Sequence, residues 1–347
     1  MTMVKIMLNN GLYLITDEKQ VQYFVGYRTA DGYAVIDEDK KLFFIDSRYY
    51  YAVKKKLASS GWEAILGSEK QALEYIANAK KPLKLDYRYT NLTLYEKLKA
   101  LGVSVEDCSK EIMSLMILKS NEELKSIKKA CSIAEKAFKD TIKQLAVGMT
   151  ELDVAYILEN NFKKLGASGI SFETIVAFNA NAAVPHHQTG KTKLTKESVV
   201  LMDFGCLYNG YCSDMTRTFY FGEKPSKEFV KAYNSVLKAH MVAYENIEAG
   251  MSCAAADGLA RDSLKADGYG EFFTHSLGHG IGLNIHEAPS LSPRGEGEMK
   301  DGMVFSIEPG VYLDGKFGIR IEDTVTLIGG KPQTFMTVTK NLIKIKN

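Results

Sequence analysis

Residues 199–221 read VVLMDFGCLYNGYCSDMTRTFYF. Asn209-Gly210 at the centre is the dipeptide favoured in two-residue hairpin loops, because both loop positions need a positive φ. With that loop, paired positions sum to 419, so Asp203 faces Thr216 and Asp214 faces Gly205. Side chains repeat every second residue, which puts Asp203 and Asp214 on one face as diagonal neighbours. Carboxylates seldom occupy apolar runs unless something offsets their burial.

A second acidic pair follows: Glu308 in VFSIEPGVYL and Glu322 in GIRIEDTVTL. Their numbers sum to 630, so a two-residue Asp314-Gly315 loop would put them on opposite faces. A connection with an odd number of residues, or a bulge, restores one face, and one of these is expected. Between the pairs lies His279 in HSLGHGIGL. Four carboxylates on strand-like segments plus one imidazole form a ligand set for two divalent metal ions, as in a dinuclear metal hydrolase.

Five of the six histidines lie near these acids in sequence or motif. His275, His279 and His286 stand in THSLGHGIGLNIHEAP, and His186 and His187 in NAAVPHHQTG. Gly278, Gly280 and Gly282 bracket His279 and allow its backbone to approach a ligand closely. His240, on a helical stretch, reads as a structural residue.

The 347 residues favour two domains, and 46% hydrophobic and 25% charged residues describe an ordinary globular protein. A net charge of +2 without an arginine-rich stripe argues against nucleic acid and membrane surfaces as partners. The opening MTMVKIMLNNGLYLITDEK has no long apolar run, so neither a signal peptide nor a membrane anchor is expected. Cys108, Cys131, Cys206, Cys212 and Cys253 are odd in number and form no CxxC, which points to free thiols in a reducing cytoplasm and away from cysteine-bound zinc.

In the first third, YLITD, YFVGY, YAVID, KLFFID and KPLKLDY read as strands, with Asp-Gly and Asp-Glu-Asp turns between some of them. SRYYYAVKKKLASS, EKQALEYIANAK and NLTLYEKLKALG read as helices. The pattern is α/β without a phosphate-binding glycine loop. SNEELKSIKKACSIAEKAFKDTIKQL is a long amphipathic helix with Ser120 and Glu123 as a capping box, and the domain boundary is expected just before it. This gives domains 1–118 and 119–347. Helices TELDVAYILENNFKKLG, SKEFVKAYNSVLKAHMVAYENI and SCAAADGLARDSLKADG then alternate with the strands FETIVAF, SVVLMDFG, CSDMTRTFYFG, VFSIEPGVYL and GIRIEDTVTLI. No internal repeat is evident.

The order Asp203, Asp214, His279, Glu308, Glu322 resembles the pita-bread metallopeptidases, which include methionine aminopeptidase, aminopeptidase P, prolidase and creatinase. VPHHQTG, LMDFGCLYNGYCSDMTRTF, HSLGHGIGLNIHEAPSLSP, GMVFSIEPGVYL and GIRIEDTV are similar to the proline-specific branch. YFVGY and FFIDSRYY match its N-terminal domain more loosely. The resemblance implies an α/β N-terminal domain of the ribonuclease H-like, creatinase type and an α+β pita-bread catalytic domain. It implies that Asp203 binds one metal, His279 and Glu308 the other, and that Asp214 and Glu322 bridge both. Manganese is the ion first implied, with cobalt or zinc as substitutes, and mostly oxygen donors agree with that. His275, His286, His186 and Arg320 match active-site positions of the branch, His186 rather than His187 by its offset from Asp203.

The implied reaction is attack on an Xaa-Pro bond by a hydroxide held between the metals, with Glu308 as proton acceptor. The bond before proline has no N–H, so a dedicated pocket for the ring is expected. An Xaa-Pro aminopeptidase acting on short proline-containing peptides is the first reading, and a prolidase the second. Ser290 stands where some prolidases carry arginine, and Arg294 lies nearby. His275 and the N-terminal domain disfavour methionine aminopeptidase, and the complete ligand set disfavours a non-catalytic module. Two-domain members of the branch are commonly dimeric, so a homodimer is expected.

Overall fold

The computed structural model describes residue 8, residues 11–38 and residues 40–346. The reading of the first residues as neither signal nor anchor falls mostly outside the described residues, as does Asp39 of the Asp-Glu-Asp turn. The chain divides into two compact units, Met1–Met116 and Ile117–Asn347.

In the first unit, the strands are β1 (Leu12–Ile15), β2 (Tyr33–Asp37), β3 (Lys40–Ile45), β4 (Glu63–Leu66), β5 (Leu83–Leu85) and β6 (Val105–Asp107). The helices are α1 (Glu18–Val25), α2 (Tyr50–Leu57), α3 (Glu69–Ala79), α4 (Leu92–Ala100) and α5 (Ser109–Met116). One sheet runs β4-β3-β2-β1-β5-β6, with β2 antiparallel to both neighbours and the other pairs parallel. Alternation along β1 sends Tyr13 and Ile15 into a core with α1, α2 and α5. Leu12 and Leu14 point the other way, into a core with α3 and α4.

One expectation is overturned here. YFVGY is not a strand: Tyr23–Val25 end α1, and Gly26 closes it at φ 77°. Its aromatic, β-branched composition suggested a strand. The helix wins because Asp17 caps it by accepting from Lys19 N and Gln20 N, and because Val21, Phe24 and Val25 recur at helical spacing on its buried side.

The second unit begins with α6 (Asn121–Ile142) and α7 (Glu151–Lys164), which pack together. Ser120 and Glu123 form the expected capping box. Then come β7 (Gly169–Ile170), β8 (Ile175–Phe178), β9 (Ser198–Phe204), β10 (Cys206–Tyr208), β11 (Tyr211–Cys212) and β12 (Met215–Phe221). A second helix pair, α8 (Lys227–Asn246) and α9 (Cys253–Ala266), precedes β13 (Gly278–Gly280), β14 (Glu287–Leu291), β15 (Val304–Ile307), β16 (Gly310–Leu313), β17 (Phe317–Arg320), β18 (Asp323–Ile328), β19 (Lys331–Thr334) and β20 (Lys344–Ile345). The same plan, a helix pair followed by antiparallel strands next to two acids, thus occurs twice. The larger sheets run β20-β12-β9-β8 and β14-β13-β15-β18-β19, and the smaller β11-β10-β7 and β16-β17. Each helix pair buries its apolar side against one sheet system.

Segment 336–340 is tied inward by charge. Glu135 on α6 accepts from the backbone N–H groups of Thr337 and Val338. Arg217, 1% exposed, donates to Val338 O, Thr339 O and Glu322 O and pairs with Asp323 at 2.7 Å. Among the described residues no helix is long and apolar enough to cross a membrane. All five cysteines are free and buried.

Candidate metal centre

The β9–β12 ladder pairs Asp203 with Thr216, and β10–β11 continues the same register to the turn, where Asn209 and Gly210 have φ of 51° and 82°. The two-residue loop is therefore the one expected, and it fixes which face Asp203 takes. The β16–β17 connection is Asp314-Gly315-Lys316, three residues and thus odd. Both β16–β17 and β15–β18 pair positions summing to 630, so Glu308 and Glu322 lie opposite each other.

The acids are not all on strands as the sequence suggested. Asp203 is in β9, but Asp214 precedes β12, Glu308 sits between β15 and β16, and Glu322 between β17 and β18. Pro309 has no N–H to extend the ladder, which accounts for the break at Glu308. The glycines around His279 also differ from expectation. A Cβ at Gly278 or Gly280 would overlap the carbonyls of Ser306 or Ala288, and one at Gly282 the Glu287 carboxylate. They admit neighbouring protein, not a ligand, and so let β13 seat His279 between β14 and β15.

These elements bring Asp203, Asp214, His279, Glu308 and Glu322 to one cleft of about 1020 Å³, together with His186, His275, His286 and Arg320. Ligand atoms of Asp214, His279 and Glu322 lie within 4.8 Å of one another. His279 Nε2 is 3.3 Å from Glu308 Oε1 and 3.6 Å from Asp214 Oδ2. His279 Nδ1 lies 3.1 Å from Gly280 O, which can only accept, so Nδ1 carries the hydrogen. In the neutral ring Nε2 is then a bare acceptor facing acceptors. That arrangement needs a proton or a metal cation between them.

Two further observations fit a cation. Asp203 Oδ1 and Glu322 Oε1 are buried without a hydrogen-bond partner. Each such orphan costs about 1–3 kcal/mol, and more when charged. Burial, then the charges of Glu322, Asp203 and Glu308, push Asp214 well above the usual carboxylate range. Burial, then Glu308 and Asp203, do the same to Glu322. Burial also lifts Glu308, but a protonated His279, donating from Nε2, outweighs it together with the other positive neighbours and holds Glu308 below the usual carboxylate range. Positive charge placed among these acids would relieve the repulsion that raises Asp214 and Glu322.

An outer layer aims the donors. Thr216 Oγ1 donates to Glu322 Oε2 at 2.6 Å. Ser306 Oγ donates to Glu308 Oε1 and accepts from His279 N. Arg320 Nη2 pairs with Asp203 Oδ2 at 2.6 Å, and its Nη1 donates to Tyr312 OH at 2.6 Å. His275 Nδ1 donates to Ser276 O, so its Nε2 accepts from Tyr312 OH at 2.8 Å. Burial pushes the Tyr312 phenol up to about 12, so it keeps that hydrogen. The His286 ring meets His279 edge-on at 4.3 Å. His186 lines the cleft and is exposed, while the His187 side chain turns inward to Glu151 at 2.9 Å. Lys119, buried, pairs with Glu287 at 2.6 Å, directly after His286. His240 is fully buried in α8, and its two ring nitrogens have no hydrogen-bond partner.

Sequence reasoning missed Thr216, Tyr312, Ser306, Glu151 and the Lys119–Glu287 pair. Thr216 was within reach, since the hairpin register already named it as the partner of Asp203. Glu151 had no such signal, because an acid in the first turn of a helix reads as an ordinary dipole-complementing residue.

Residues 125–328 match the model of metallopeptidase family M24, and residues 8–115 that of the creatinase/prolidase N-terminal domain. The peptidase YqhT of Bacillus subtilis is 34% identical over 337 residues, 95% of this chain and 94% of that protein. The X-Pro aminopeptidase of Thermotoga maritima superposes with a TM-score of 0.90 at 32% identity, over 97% of this chain and 98% of that one. The Xaa-Pro dipeptidase of Bacillus anthracis gives 0.92 at 32%, over 96% and 95%. The prolidase of Pyrococcus furiosus gives 0.89 at 32%, over 95% and 97%.

Proposed function

The chain belongs to metallopeptidase family M24, and we propose that it hydrolyses Xaa-Pro bonds at the N-terminus of short peptides. The observation that carries this is the His279 Nε2 lone pair aimed at Asp214 and Glu308, beside orphaned oxygens of Asp203 and Glu322. In this reading Asp203 would hold one divalent ion, His279 and Glu308 the other, and Asp214 and Glu322 would serve both. Manganese suits four carboxylates and one imidazole, and cobalt or zinc would also be accepted.

Bound divalent ions would supply Lewis acidity, lowering the pKa of a water and polarising the peptide carbonyl. Glu308, kept ionised by its neighbours, accepts the proton of the attacking water. His286 and His186 line the cleft beside the acids and hold the peptide carbonyl and its developing negative charge, while His275, bound at both ring nitrogens by Ser276 O and Tyr312 OH, shapes the wall beside them. Arg320 and Tyr312 fix the tautomer of His275. The apolar side chains of Ile285 and Phe172 on the cleft wall suit a pyrrolidine ring that offers no N–H.

Arg320 is the only lysine or arginine among the described residues lining the cleft, and its guanidinium is engaged by Asp203 and Tyr312. Ser290 lines it too, and the exposed Arg294 does not. A dipeptide's carboxylate thus lacks a free guanidinium or ammonium partner, which favours longer substrates. The dipeptidase reading stands second, on the likeness to the two dipeptidases. A manganese-supplemented assay of Xaa-Pro against Xaa-Pro-Yaa peptides tests the order. Turnover of the dipeptide alone would reverse it, and turnover of neither would remove both.

We take 1–118 and 119–347 as the working domains, near the division of the contacts at Met116. Five free buried cysteines suit a reducing cytoplasm, and aromatic residues such as the exposed Tyr51 suit a homodimer.

A further inference from the structure

Glu151 opens α7, outside the set of acids at the metal centre, and its side chain is fully buried. A carboxylate has roughly four lone-pair sites. Here four donors meet it: Phe178 N at 2.9 Å, Asn181 Nδ2 at 2.9 Å, His187 Nε2 at 2.9 Å and Gly190 N at 3.0 Å. All four belong to the segment that runs from the end of β8 to Gly190. A buried acid this fully engaged is costly to leave partnerless, so the segment and the carboxylate fix each other.

That segment carries His186. A turn closes where His187 N donates to Val184 O, and the two adjacent imidazoles part company there. Both residues line the cleft, but the half-buried His187 ring is bound to Glu151 while the His186 ring stays exposed to it. Pro185 O, next to His186, accepts from Arg320 Nη1 at 3.4 Å. The peptide carrying His186 is therefore held from beneath by Glu151 and from the cleft side by Arg320.

We propose that Glu151 is a positioning residue, acting with His187 to hold His186 against the substrate. Its effect is expected to pass chiefly through His186, because the four donors that meet Glu151 all belong to the His186 segment and Asp203 is reached from there indirectly, through Arg320 and β8. The proposal rests on the reading that His186 meets substrate, and it assigns distinct work to two neighbouring histidines.

The test uses the full-length manganese-loaded protein and three single variants, Glu151→Ala, His187→Ala and His186→Ala, with the Glu151→Ala/His186→Ala double. Hydrogen exchange followed by mass spectrometry should show faster exchange in E151A within 178–190, with the strands at 199–221 and 304–327 unchanged. This arm stands whether or not the wild type cleaves an Xaa-Pro peptide. Given cleavage, E151A should lower kcat by about 10²-fold, the usual size of a misplaced group's effect. Manganese binding measured by calorimetry should be unchanged. The double variant should lose no more than the worse single, as for residues acting as a unit. H187A removes one of the four bonds and should show a smaller loss in the same direction, which keeps the idea testable should E151A not fold. Additive losses, weakened manganese binding, or unchanged exchange across 178–190 would overturn the proposal.

Discussion

Glu308 and Glu322 face each other across a gap in a single hairpin. The ladders on both sides keep one register, yet neither glutamate belongs to a strand. The gap frees both carboxylates from the flat alternation of a ladder and turns them to the cleft that holds Asp203, Asp214 and His279.

Metal removal should abolish hydrolysis, and added Mn²⁺ should restore it. The acids then lose the cation that would relieve their burial and mutual repulsion and activate the attacking water. Full turnover in a sample shown metal-free by elemental analysis would rule out the dinuclear mechanism.

Thr216→Val keeps the shape and removes one hydroxyl that donates to Glu322 and accepts from Arg320 Nε. Affinity for Mn²⁺ should weaken by about 10- to 100-fold, as for other outer partners of a ligand. Calorimetric titration reads this directly, and an unchanged dissociation constant would remove Thr216 from the account.

Asp214→Asn should cost more activity than His187→Ala. The first removes a carboxylate assigned to both ions, and its loss should exceed the about 10- to 100-fold typical of an outer partner. Among the described residues, His187 pairs with Glu151, which is outside the metal centre. Equal losses in kcat/KM would count against the bridging assignment.

His240 sets a pH dependence of stability. Burial holds it at about 3 in the folded protein, against 6.5 for the free side chain. Between those values the unfolded chain binds the extra proton, so stability falls as pH falls from 6.5 toward 3. Its two orphaned nitrogens add to the cost of burial. His240→Leu, compared with wild type in chelator, should lose stability less steeply, by as much as about 1.4 kcal/mol per pH unit. Parallel curves from denaturant melts at pH 7 and pH 5 would contradict this.

Light scattering at working concentration should show a dimer of the intact chain. A monomer would leave the aromatic surface of the first unit without the role assigned to it.

Much of this was legible in the sequence, and the exceptions have physical causes. The Asn209-Gly210 loop gave a register that the ladder keeps, and the parity of 308 and 322 called for the odd connection that is found, because a hairpin's face pattern is arithmetic once the loop is known. YFVGY misled because its composition favours a strand while Asp17 and Gly26 impose a helix. The strand breaks at the acids were partly visible in Pro309. What the sequence left hidden depends on residues far apart in the chain. Arg320 and Asp203 are separated by 117 positions, and Thr216 and Glu322 by 106. Arg320 came only through a resemblance, and Thr216's grip on Glu322 not at all.

Arg217 binds the carbonyls of Val338 and Thr339 with the same guanidinium that holds Glu322 O. The order of synthesis then matters. Asp203 and Asp214 leave the ribosome long before Val338 and Thr339, which hold Arg217 in place. A nascent chain that has emerged only to Glu322 already has Thr216 to bind that glutamate, but Arg217 behind it still lacks two of its partners. The backing of Glu322 through Arg217 is therefore complete only with the closing stretch of the polypeptide, and a protease cut near Met336 should loosen it from a distance.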